Sequence, residues 1–116
     1  KDGRPLLEDP VFGNKIAQVE IELTALEVTN LRVIFAEAAK QAPGPEASML
    51  KIRGTEIAQR ISELQVELLG AGALPYRHDD DASRATAAYP NERTLSIFCG
   101  SNEIQRNIIA QMVLQL

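Results

Sequence analysis

The chain has 116 residues, 45% of them hydrophobic and only 4% aromatic, with a net charge of -4. That length suits one domain, which buries roughly 65% of the surface its unfolded chain exposes. Twelve basic against sixteen acidic residues, with no basic stripe carrying interleaved aromatics, argue against a nucleic-acid partner.

No apolar run approaches the roughly 20 residues of a membrane span. Cys99 is the single cysteine, so no intrachain disulfide forms and a reducing, cytoplasmic compartment is expected. No signal peptide is visible, and a start at Lys1 without Met reads as a fragment of a longer protein. Ala, Leu, Ile, Glu and Gln dominate and β-type alternation is missing, so the fold class is all-α.

Lys1 to Pro10 is punctuated by Gly3, Pro5 and Pro10 and reads as a loop, with Asp9 as N-cap and Pro10 in the first helical turn. A long helix then runs to about Ala42. Ile16, Val19, Leu23 and Leu26 form one apolar line on it, and Ala17, Ile21, Val28, Leu31, Phe35 and Ala38 a second. A face this wide must touch more than one neighbour. The run Gln41-Ala42-Pro43-Gly44-Pro45 stops the helix, and Pro45-Glu46 opens a second. Its stripe is Leu50, Ile57, Ile61, Leu64 and Leu68, with Glu56 and Arg60 paired at i,i+4 on the opposite side. The short connection makes these helices antiparallel neighbours.

Leu69 to Pro75, with Gly70 and Gly72, ends the second helix, and Tyr76 to Ala82 is a polar loop. A third helical piece runs from about Ser83 to Phe98, capped by Asp81 or Ser83 and interrupted or bent near Pro90. Gly100 breaks it. Ser101 N-caps a last helix with Glu103 in its first turn. Ile104, Ile108, Met112 and Leu116 line one face, broadened by Ile109 and Val113. The expected architecture is an antiparallel, up-down four-helix bundle over residues 1–116.

Gly100 is a break without a Cβ, and the residues after it present free backbone N–H groups at a helix N-terminus, which attract anions and polarised oxygens. By composition alone this is an ordinary helix–helix turn. The Gly70 and Gly72 pair likewise reads as a helix C-cap. It is not a dinucleotide fingerprint, because it follows a helix and lacks G-x-x-G. The run Asp79-Asp80-Asp81 is not an EF-hand loop: counted from Asp79, Arg84 and Pro90 stand where Gly and Glu are required. It reads as a solvated loop, with His78 exposed beside it. One His and one Cys do not build a zinc site within one chain.

Three stretches resemble the acyl-CoA dehydrogenase family. Ile97 to Ala110, IFCGSNEIQRNIIA, is similar to the C-terminal signature I-Y-E-G-(T/S)-x-(E/Q)-I-Q-R followed by an apolar helix, in the form ending GSNEIQRNIIA. Leu69 to Ala73 resembles the family's L-G-G-x-G turn, with Ala71 for a frequent Gly and, just before it, Glu67 for a frequent Gln. Ala47 to Lys51 is similar to the A-S-M-x-K that opens the corresponding helix. The order of helices and breaks follows the family along nearly the whole chain. The resemblance implies the C-terminal helical domain of an FAD-dependent enzyme whose N-terminal helical and middle β-domains are absent from this sequence. It also implies that Ser101 and Glu103 contact the cofactor, that Gly100 lies near the thioester, and that Gly70 and Ala71 approach the FAD of a neighbouring subunit.

The implied reaction removes two hydrogens from an acyl-CoA thioester. A carboxylate takes the α-proton, FAD accepts the β-hydrogen as hydride, and the electrons usually pass to an electron-transferring flavoprotein. The base must lie near the α-carbon. Most members carry that glutamate where this chain has Cys99. The sulfur stops roughly 2 Å short of a glutamate's carboxylate, and thiols are mostly protonated near neutrality. The side chain therefore reads as a small hydrophobe packed under the turn. The backbone N–H at position 99 survives the exchange and, by resemblance, helps bind the thioester carbonyl.

Two accounts of the base stay open: a glutamate on a helix upstream of Lys1, or a non-catalytic partner subunit in a heteromeric dehydrogenase. The 116-residue chain alone is expected to be inactive. A different class of function is an oligomerisation domain, since the family assembles dimers of dimers through this domain. A free-standing bundle with an accidental match is the remaining alternative.

Overall fold

Asp9 and Pro10 start the first helix as their chemistry dictates. Asp9 is extended, its carboxylate accepts the Val11 N–H at 2.9 Å, and Pro10 takes the first helical position, where no N–H is needed. The computed structural model describes residues 3, 5–42, 44–73 and 81–115, without the side chains of 72, 73 and 81–83. The expectations for Pro43, for the loop with His78, Asp79 and Asp80 and for Leu116 lie outside the described residues, whereas Asp81 and Ser83, expected as caps, already lie inside the third helix.

After a 3-10 turn at Leu6–Glu8, α1 spans Pro10–Ala38. It stops short of Ala42. Lys40 turns left-handed (φ 56°) and the Gln41 N–H closes on the Ala36 carbonyl at 3.0 Å, a Schellman-type stop placed before the prolines act. α2 spans Glu46–Leu69 and passes into a 3-10 turn at Gly70–Ala73. α3 spans Asp81–Glu92 and is followed by a 3-10 turn at Arg93–Ser96. The α-helical part of this third piece thus ends well before Phe98. Pro90 withholds an N–H and crowds the turn before it. The Thr94 and Ser96 hydroxyls then donate to the Asn91 and Arg93 carbonyls, at 2.6 and 3.0 Å, and tighten the chain. α4 spans Asn102–Leu114.

The chain is an all-α helical bundle, with no strand among the described residues. Its helices are not four equal neighbours: α1, α3 and α4 each pack chiefly on α2. The first two run antiparallel, as ion pairs from Lys15 to Glu67 and from Arg53 to Glu22 show. Phe12 and Val19 of α1 meet Ile57 and Leu64 of α2 in the main core, with Leu6, Ile16 and Leu26 packed around them.

Of the five residues in the expected α2 stripe two are buried, and Leu50 is half-buried. Ile57 and Leu64 are buried, whereas Ile61 and Leu68 are exposed, and Ile52 is buried outside the stripe. The reason is that α2 is covered on more than one side. Its face toward α3 and α4 uses small and polar residues, among them Ser62, Thr55 and Gln59, which no hydrophobic pattern reports. Glu56 pairs with Arg53 and Arg106, and Arg60 with Glu63, in place of the expected Glu56–Arg60 contact. On α1 the second apolar line faces outward: Ile21, Val28, Leu31 and Phe35 are exposed, Phe35 to 70%. Ile104, Met112 and Val113 of α4 are exposed as well.

Candidate functional site: the turn before the last helix

The junction between the 3-10 turn and α4 reverses through two successive left-handed residues, Cys99 (φ 56°) and Gly100 (φ 86°). Only glycine adopts the second without strain, and a Cβ at Gly100 would also stand 2.8 Å from Gln105 Nε2. Ser101 is the N-cap, its Oγ accepting the Ile104 N–H at 3.4 Å. Cys99, Gly100 and Glu103 are exposed, and Ser101 is half-buried. Cys99 is thus not packed under the turn. The double left-handed reversal lies at the surface and leaves Cys99 exposed.

No hydrogen bond among the described residues takes up the N–H groups of Cys99, Gly100 or Ser101. Three backbone donors are therefore available where a helix dipole already favours negative charge. Glu103 uses part of that field itself. A hydrogen bond from its own backbone N–H holds its carboxyl below the usual range, assisted by the Ser101 hydroxyl and the charges of Arg106 and Lys51. The junction so offers N–H donors for a carbonyl-type oxygen and, beside them, an exposed carboxylate that accepts from hydroxyls and repels phosphate. A flavin's carbonyl edge and sugar-chain hydroxyls fit that set; its pyrophosphate does not.

Asn102, to which no sequence motif assigns a role, is the buried residue of this site, 6% exposed. Its Oδ1 accepts from Lys51 Nζ at 2.7 Å, and its Nδ2 donates to Thr55 Oγ1 at 3.1 Å. The Thr55 hydroxyl in turn donates to the Ile52 carbonyl at 2.8 Å. The one available signal was the i,i+4 spacing of Lys51 and Thr55, with Lys51 closing the ASMLK motif.

The second group of predicted residues lies elsewhere. Gly70 (φ 53°) and Ala71 are exposed at the far end of α2, and a Cβ at Gly70 would meet nothing within 4 Å. From Thr55 to Gly70 the helix rises about 20 Å at 1.5 Å per residue, so one chain does not bring the two turns together. Glu67, next to the Gly70 turn, has its charge balanced by Lys15. Among the described residues no cluster of His, Cys, Asp and Glu suits a metal ion, and no helix is long and apolar enough to cross a membrane.

This arrangement, a helical bundle with an exposed Gly-broken turn ahead of its last helix, coincides with a family assignment. The sequence model described as acyl-CoA dehydrogenase, C-terminal domain, matches residues 1–114, and the chain belongs to that family. Among individual proteins, it is 29% identical to the short-chain specific acyl-CoA dehydrogenase, mitochondrial, of Homo sapiens over 113 residues, which cover 97% of this chain and 26% of the relative. It is 27% identical to the acyl-CoA dehydrogenase FadE26 of Mycobacterium tuberculosis over 120 residues, covering 98% of this chain and 30% of the relative. The chain thus spans less than a third of the length of these curated relatives. No solved structure matches it at comparable significance.

Proposed function

We propose that this chain is the C-terminal helical domain of a longer FAD-dependent acyl-CoA dehydrogenase, an oxidoreductase that introduces an α,β double bond into an acyl-CoA thioester. The carrying observation is the exposed turn at Cys99–Ser101, whose backbone N–H groups are unpaired among the described residues and which stands within the family match. Ser101 and Glu103 hold the flavin of their own subunit through a hydroxyl and a carboxylate. Gly70 and Ala71, too distant for that flavin, approach the cofactor of a neighbouring subunit. When bound, the flavin supplies a hydride acceptor. The chain's own contribution is electrostatic: the Cys99 N–H donates to the thioester oxygen and stabilises the negative charge that develops there as the α-proton leaves. The thiol is not the base, because its sulfur stops short of the place a glutamate's carboxylate reaches. The base belongs to a part of the protein outside this sequence.

The test is spectroscopic. The full-length protein, loaded with FAD under anaerobic conditions, is mixed with butyryl-, octanoyl- and palmitoyl-CoA and with branched and steroid acyl-CoA thioesters. Loss of the oxidised flavin absorbance with at least one of them is expected, and reoxidation by an electron-transferring flavoprotein identifies the acceptor. A flavin that no thioester bleaches favours the second reading, a non-catalytic partner subunit or oligomerisation domain. That reading draws on Cys99 at the glutamate position and on the outward apolar line of α1.

A further inference from the structure

Two α2 residues, Lys51 and Thr55, hold the junction through Asn102, and the turn itself is otherwise weakly tethered. Within the turn, Gln105 Nε2 reaches the Cys99 carbonyl only at 3.5 Å, and the Ser101 cap bond is 3.4 Å long. By contrast, Asn102 is bound on both faces of its amide, at 2.7 Å by Lys51 and at 3.1 Å by Thr55. Burying an amide is unfavourable unless both of its polar atoms find partners, and here they do. The Thr55 hydroxyl accepts from Asn102 Nδ2 at 3.1 Å, and has the Ile52 carbonyl at 2.8 Å and Asn102 Oδ1 at 3.3 Å as acceptors for its own proton. Lys51, a donor only, fixes the amide oxygen on the opposite side. Asn102 directly follows Ser101, so its side chain sets where the turn stands relative to α2.

We infer that Asn102, clamped between Lys51 and Thr55, is a positioning residue for the cofactor: it holds the turn at the place and angle at which the Ser101 hydroxyl and the Glu103 carboxylate meet the flavin. This rests on the proposed function above. An aliphatic residue of similar size fills the same space but leaves Lys51 and Thr55 without their partner and frees the turn to shift. Displacement by about 1 Å at such a site costs on the order of a hundredfold in productive geometry.

The experiment uses the full-length protein reconstituted with FAD, and reads FAD affinity and the shape of the oxidised flavin absorption bands; neither needs turnover. Asn102→Ala and Thr55→Val are expected to weaken FAD binding by roughly tenfold or more, by loss of a charge-assisted hydrogen-bond network, and to shift the flavin bands. Thr55→Ser, which keeps the hydroxyl, is expected to restore both. Thr55→Val is the second route if Asn102→Ala does not fold. Variants that melt earlier but keep wild-type FAD affinity and spectrum make Asn102 merely structural and overturn the inference while leaving the proposed function standing. A wild-type protein that takes up no FAD overturns the proposed function, and this inference falls with it.

Discussion

At position 99 the thiol and the backbone N–H have separate consequences. The left-handed φ of 56° is strained for any residue with a Cβ. Cys99→Gly is therefore expected to raise the unfolding free energy by about 0.5–1 kcal/mol in urea titrations, and to keep the flavin of the full-length protein bleachable by thioester because the N–H remains. Cys99→Pro, locked near φ -65° and lacking the donor, should lose the bleaching of bound flavin by thioester; equal bleaching would remove the backbone from the site. Glu103 makes a pH prediction. Its carboxyl is held low first by its own backbone N–H and then by Ser101. A depressed folded-state pKa stabilises above the unfolded pKa, and that contribution disappears as the pH falls through the lowered value. NMR titration should place the Glu103 midpoint below that of an unstructured peptide, with Ser101→Ala moving it back. A midpoint at or above the peptide's would rule out the folded-back carboxylate.

Among the elements, α2 carries the fold because the other three helices lean on it. Ile57, 2% exposed and central to its contact with α1, should cost about 3 kcal/mol when cut to alanine, by lost transfer energy plus the cavity left behind. The same helix carries Gly54 in its interior, and a Cβ there would meet Leu26 Cδ2 at an ordinary 3.9 Å. Gly54→Ala should accordingly gain about 0.5–1 kcal/mol. A loss on chemical denaturation would show that α1 and α2 sit closer than that contact. The helices themselves were legible: Asp9-Pro10, the prolines around Gly44, Gly70 and Gly100-Ser101 are local chemistry and mark ends wherever the chain goes. The burial of α2 was only half legible. Ile57 and Leu64 follow a helical period, while the side facing α3 is held by Arg93 to the Gln59 carbonyl and Glu63, an arrangement of polar groups with no periodic signature.

The molecule as a whole is long and open. It measures 53 × 27 × 26 Å with a radius of gyration of 17.8 Å, against about 13 Å for a compact chain of this length. Its accessible surface of 8436 Å² exceeds by about 2,200 Å² that of a compact monomer, an area in the range of a stable protein interface. The outward line of Ile21, Val28 and Phe35 is one apolar part of that surface. The full-length protein should therefore sediment as a dimer or tetramer. Ile21→Glu combined with Phe35→Glu should shift it toward smaller species if other subunits cover this face, and a monomer at micromolar concentration would count against a subunit interface.

Family, helix order and the position of the Gly-broken turn are local matters of motif, period and breaker, and were readable residue by residue. Which residues of that turn are covered was not. Burial of Asn102 depends on Lys51 and Thr55, roughly fifty residues away in the chain. Contacts made across such separations depend on how the helices cross, and no stretch of sequence carries that information alone.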